Sequence, residues 1–118
     1  MDLYQQNILD YYKHPRKSGE VAGATHHCKT SNPLCGDNVE LWLKLDGNKI
    51  VKAGWQGEGC VLSQAASDML SEYLEGKTIL EIKNIDKNVL LKMVGVELGP
   101  NRLKCALLPL DALREAIK

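Results

Sequence analysis

The chain has 118 residues, with fifteen basic and fifteen acidic side chains in a composition that is 44% hydrophobic and 25% charged. This length fits one domain, residues 1–118, with a core of its own, and the cancelled charge gives no overall field for nucleic acid or an anionic membrane. No segment reaches the roughly eighteen apolar residues that span a bilayer, and the acid- and amide-interrupted start MDLYQQNILDYYKHPR does not read as a signal peptide. The expected compartment is the cytoplasm, where thiols stay reduced, so four cysteines point to metal or catalysis more than to disulfides. Phe is absent and there are only two Trp and four Tyr, so the core is expected to be aliphatic.

In chain order, residues 2–13 read as a helix, with Leu3 or Tyr4, Ile8, Tyr11 and Tyr12 at helical spacing. His14-Pro15 ends it, because the residue before proline is pushed out of the α region. Residues 16–23 read as loop and 24–30 as a polar strand. The cluster Ser31-Asn32-Pro33-Leu34-Cys35-Gly36-Asp37-Asn38 is rich in turn formers. Val39, Leu41, Leu43 and Leu45 then alternate with Glu40, Trp42 and Lys44, the pattern of a half-buried strand. Asp46-Gly47-Asn48 is a hairpin signal, and residues 49–56 return.

Gly57-Glu58-Gly59-Cys60 leads into a helix whose Leu62, Ala65, Ala66, Met69, Leu70 and Tyr73 form an apolar stripe ending near Gly76. Residues 78–94 predict one or two shorter helices, and 95–100 a break. The last helix is expected to start near Leu103–Cys105, with Pro109 in its first turn and Ala106, Leu110, Leu113 and Ile117 on one face. The fold class is α+β, a small antiparallel sheet packed with helices.

Three cysteines fall at element ends, where chemistry is commonly placed. Cys35 lies in the Pro/Gly turn, Cys60 in a Gly-rich turn and Cys105 at a helix start. Helix N-termini favour a thiolate, the form that binds metal and attacks a persulfide. Asp37, two residues after Cys35, points the same way in extended backbone, so a carboxylate and a thiolate can share one ion. Three thiolates and a carboxylate suit zinc or the iron of a cluster, and the harder oxygen ligand should make a soft cluster easier to release. The spacing lacks the CxxC pairs of zinc ribbons and ferredoxins. Residue chemistry alone thus leaves a joint metal site and buried structural cysteines both open.

Four segments carry a resemblance: LYQQNILDYYKHPRKSG, NPLCGD, GEGCVLSQAASDML and RLKCALLPLDAL, covering nearly the whole chain in order. Together they resemble the IscU/SufU group of iron–sulfur cluster assembly proteins, related to the N-terminal domain of NifU. The resemblance implies a three-stranded sheet with helices. It implies that Cys35, Asp37, Cys60 and Cys105 bind a [2Fe–2S] cluster or iron, or zinc in its absence. It also implies a cysteine desulfurase that delivers persulfide sulfur, with Cys35, Cys60 and Cys105 as acceptor candidates, and apo-protein recipients.

Two departures divide the function. Lys104 stands where IscU has His before the last cysteine, and LGPNRLK replaces the LPPVK chaperone-binding segment, so handover through an Hsp70-type chaperone is not expected. Lys104 and its context look like SufU, yet the insertion of about twenty residues between the second and third SufU cysteines is absent. A cluster scaffold is the favoured reading, and a zinc-dependent sulfurtransferase the alternative, with Lys104 as an accessory charge near Asp37 or a persulfide. Cys28 is expected to be incidental. His26 and His27, adjacent on a strand, face opposite ways and do not share an ion. Trp42 and Trp55 are expected to pack on the sheet.

Overall fold

The computed structural model describes residues 2–32 and 36–118. Among them the chain runs α1 (Leu3–Lys13), β1 (His26–Asn32), β2 (Asp37–Asp46), β3 (Lys49–Glu58), α2 (Val61–Leu74), α3 (Ile79–Lys83), α4 (Lys87–Val94) and α5 (Pro100–Ala116). The three strands form one antiparallel sheet in the order β1-β2-β3, with helices packed on it. The α+β architecture expected from the element order is the one observed.

The alternation of β2 sorts the two faces of the sheet. Val39, Leu41 and Leu43 are buried, and Leu41 and Leu43 lie opposite Trp55 and Ala53 of β3. These side chains join Ala65, Ala66, Met69 and Leu70 of α2 and Leu108, Leu110 and Leu113 of α5 in one cluster. Among the described residues Trp55 is the one buried aromatic side chain in it, with Tyr11 partly buried against it, in keeping with the lack of Phe. Trp42 lies on the other face, stacked on its cross-strand partner His27 with ring centroids 5.2 Å apart. The β2–β3 hairpin turns on Gly47-Asn48, with positive φ at Gly47 (63°) and not at Asn48, the signature of a type II′ turn.

Helix starts follow side-chain chemistry. Asp2 and Gln5 form a capping box at α1, and Thr78 and Glu81 form another at α3. His14 caps the end of α1 through its backbone N–H, which donates to the Asp10 carbonyl at 2.8 Å. Gly95, with φ +76°, closes α4 in the left-handed conformation.

Three expectations need correction. The apolar face of α1 is mostly not core: Ile8 is its buried residue, whereas Leu3 and Tyr4 are 81% and 55% exposed. Tyr73, at the end of the α2 stripe, is exposed beneath the Lys77 ammonium. The last helix begins at Pro100, not near Leu103–Cys105. Proline at the first helical position needs no N–H partner and has its φ preset, so it starts the helix where the sequence predicts a break. Pro109 therefore lies in the helix interior and cannot donate to the Cys105 carbonyl one turn back.

Asp68 is fully buried within the α2 stripe. Its carboxylate accepts from the Arg16 amide at 2.9 Å, the Lys17 amide at 2.7 Å and Trp55 Nε1 at 2.9 Å. One side chain thus ties the segment after α1 and the strand β3 to α2. No helix among the described residues is long and apolar enough to cross a membrane.

Candidate metal centre

Asp37, Cys60 and Cys105 are far apart in sequence, and the fold brings them together. Asp37 is the first residue of β2, opposite Asn32 of β1, and is 3% exposed. Cys60 is the N-cap of α2, in extended backbone, and is exposed. Cys105 is buried on α5. One ligand atom from each of these three residues lies within 4.8 Å of the other two.

Local hydrogen bonds hold Cys60 and Asp37 in place. The Cys60 amide donates to Asp37 Oδ1 at 3.3 Å, and its thiol donates to Asp37 Oδ2 at 3.5 Å. Cys60 Sγ accepts the Ser63 amide at 3.4 Å, replacing the oxygen of an ordinary N-cap. The Ser63 hydroxyl donates to the Cys60 carbonyl at 3.1 Å, and Gln64 Nε2 donates to the Gly59 carbonyl at 3.0 Å. Ser63 and Gln64 were not singled out from the sequence. Their signal is their place in the first turn of a helix capped by a cysteine.

The other sequence candidates are placed as follows. Cys35 lies outside the described residues. Cys105 is not at a helix start: with α5 beginning at Pro100 it sits in the second turn, beyond the first-turn N–H groups. Lys104 is exposed beside a groove of about 280 Å³ that also touches Ser31, Asn32, Leu107 and Asp111. Burial pushes the Asp111 carboxyl above its usual range, against a lowering by Arg114. Cys28 lies opposite Leu41 on the core-facing side of β1, outside the three-residue cluster. Burial, and then the charge of Glu115, push its thiol above the ordinary value. His26 contacts Thr25, whereas His27 contacts Glu40, so the two imidazoles take separate partners.

A groove of about 510 Å³ opens beside Cys60, lined by Ile8 and Leu9 of α1, Val61 of α2, and Val96 and Leu98 before α5. The donor set at its edge is two thiols and a carboxylate, deprotonated forms of which suit zinc or the iron of a cluster. Of the three, the Asp37 carboxylate and the Cys105 thiol are buried and the Cys60 thiol is exposed.

Residues 3–118 match the model of the NifU-like N terminal domain. The chain belongs to that family. It is 34% identical to the zinc-dependent sulfurtransferase SufU of Bacillus subtilis (strain 168), over 98% of this chain and 89% of that protein. It is 32% identical to the iron-sulfur cluster assembly scaffold protein IscU 1 of Archaeoglobus fulgidus, over 98% of this chain and 74% of that protein. Among solved structures, a candidate iron-sulfur cluster assembly scaffold protein for the SUF system from Fervidobacterium islandicum AW-1 superposes with a TM-score of 0.81 at 35% identity, covering 96% of this chain and 95% of that one.

Length separates these family members less cleanly than their names do. The match to the B. subtilis protein runs over 132 positions, more than this chain holds, so that relative carries residues absent here. The scaffold-named protein of Thermotoga maritima also aligns over 133 positions. The missing insertion therefore does not by itself favour a scaffold.

Proposed function

We propose that this chain is an iron–sulfur cluster assembly scaffold. On this reading Cys35, Asp37, Cys60 and Cys105 receive iron and sulfur, hold a [2Fe–2S] cluster as cargo, and release it to apo-proteins. A cysteine desulfurase supplies the sulfur, and the work is done in a reducing compartment, the cytoplasm. The observation that carries the reading is the convergence of Asp37, Cys60 and Cys105 in a chain of this family.

The chain's own groups suit sulfur acceptance. A cysteine thiolate attacks the outer sulfur of the donor persulfide. That S–S bond breaks as a new one forms on the acceptor, and the donor leaves as a thiolate with no net redox change. Cys60 is the exposed thiol of the described cluster, and its S–H points at Asp37 Oδ2, a carboxylate placed to take the proton. Lys104 supplies a mobile positive charge on the α5 side.

Anaerobic incubation with iron, cysteine and a desulfurase should give a visible-absorbing cluster that Cys60→Ala abolishes. Colourless protein after that treatment would overturn the scaffold. A second reading, a zinc-dependent sulfurtransferase, is favoured by the B. subtilis relative and by Lys104 before Cys105. In that case zinc would sit on the same residues and hold their thiolates. It requires stoichiometric zinc in the purified protein and strong stimulation of the desulfurase, and it fails if neither is found.

A further inference from the structure

Gly59 stands between the two residues that the site joins. Its φ is +144°, a backbone region that residues with a side chain rarely adopt. Space there is closed as well. A Cβ at Gly59 would lie 2.9 Å from the Asp37 Cβ and nearer still to its Cγ and Oδ1. The Asp37 carboxyl thus occupies the volume that a side chain at 59 would fill. From that volume it reaches both the amide and the thiol of Cys60. The peptide is fixed from the other side by Gln64, whose Nε2 donates to the Gly59 carbonyl at 3.0 Å.

We propose that Gly59 is a positioning residue for the candidate centre: its missing side chain is the pocket that holds the Asp37 carboxylate on Cys60. The proposal rests on the metal-site reading above and deepens it. Gly59 touches no cargo. It acts through Asp37, so filling the pocket should remove the carboxylate from the donor set while leaving Asp37 in the chain.

The two consequences of a side chain at 59, backbone strain and collision, can be separated. Gly19 also has a positive φ (+117°), but nothing lies within 4 Å of where its Cβ would be. Gly19→Ala therefore reports strain alone. Asp37→Gly deletes all three atoms that a Cβ at 59 would meet first.

The test is a titration of the metal-free protein with Co²⁺, read by its thiolate charge-transfer band and ligand-field spectrum. Alkylation of Cys60 is followed by mass spectrometry in parallel. Gly59→Ala should weaken Co²⁺ binding about 10- to 100-fold, the range typical when a ligand loses its orienting partner. It should also alter the ligand-field spectrum as Asp37→Gly does, and change the Cys60 alkylation rate. Gly19→Ala should bind as the unmodified protein does. In the Asp37→Gly background, Gly59→Ala should change Co²⁺ affinity less than about twofold, because coupled neighbours are not additive. Should Gly59→Ala alone fail to fold, the readout is whether Asp37→Gly restores the fold. Unmodified Co²⁺ affinity in Gly59→Ala, a full additional loss in the double variant, or no restoration would overturn the proposal. Absence of Co²⁺ binding by the unmodified chain would instead sink the metal-site reading itself.

Discussion

Asp37 and Cys60 are joined twice, through amide N–H to Oδ1 at 3.3 Å and through S–H to Oδ2 at 3.5 Å. A carboxylate that grips a cysteine at both its backbone and its thiol fixes where that sulfur sits before any cargo arrives. If the same carboxylate is the hard ligand whose exchange begins release, Asp37→Ala should load a cluster and hand it on more slowly, by about tenfold. Transfer to an apo-ferredoxin, followed by circular dichroism, measures this. Unchanged transfer kinetics would remove Asp37 from the release step.

Asp68 carries a structural prediction away from the site. Asp68→Ala strands the Trp55 indole N–H in the core and leaves the Arg16 and Lys17 amides without their acceptor. The expected loss is about 2–4 kcal/mol in urea unfolding, since each buried donor left unsatisfied costs about 1–3 kcal/mol and the two amides can partly rehydrate. Asp68→Asn keeps one acceptor oxygen and should lose less. Equal stability of all three proteins would show that the carboxylate does not fasten these segments.

The α3 capping box predicts a pH dependence. Hydrogen bonds from the Thr78 backbone and then its hydroxyl hold the Glu81 carboxyl below its ordinary range. A depressed folded-state pKa gives stability that is fully present above the unfolded value and lost as pH falls through the folded one. The box should therefore support α3 at neutral pH and fail in acid. Glu81→Gln should flatten that part of the stability profile. A profile identical to the unmodified protein's would mean the cap contributes nothing.

Removing metal should not unfold the chain. The core of β2, β3, α2 and α5 is built from aliphatic side chains and Trp55, none of them a candidate ligand. After chelation the far-UV circular dichroism should persist with a cooperative melt, and restored Zn²⁺ should raise the melting temperature by mass action. Loss of the melt on chelation would make the ion structural.

Much of this organisation was legible in the sequence because its patterns are local. Val39, Leu41 and Leu43 announce their strand by period-2 alternation, and Asp46-Gly47 announces the hairpin. What was not legible depends on distant partners. Asp68 looks like a polar interruption of an apolar helix until residues 16, 17 and 55 are seen around it. Pro100 reads as part of a break, yet it opens α5 at the first helical position, where its missing N–H costs nothing. For the site, the residue types and loop positions suggested shared chemistry, but the closeness of Asp37, Cys60 and Cys105 comes from strand register and helix packing that no spacing encodes. At Gly59 the sequence shows only a missing side chain, whereas the neighbour that fills its place is Asp37.

The shallow seating of α1 has a consequence in time. Ile8 is its one buried side chain, and the ties of the helix and of the segment after it reach far along the chain: Tyr11 to Glu72 across 61 positions, Arg16 and Lys17 to Asp68 across 52 and 51, and Tyr4 to Gly95. Each tie closes a long loop, whose entropy must be lost before the contact is gained. α1 must then wait for α2 and the turn at Gly95 before it can dock. Pulsed hydrogen exchange during refolding would register this as late protection of the Ile8 amide: a helix that forms by local contacts alone is the last one placed.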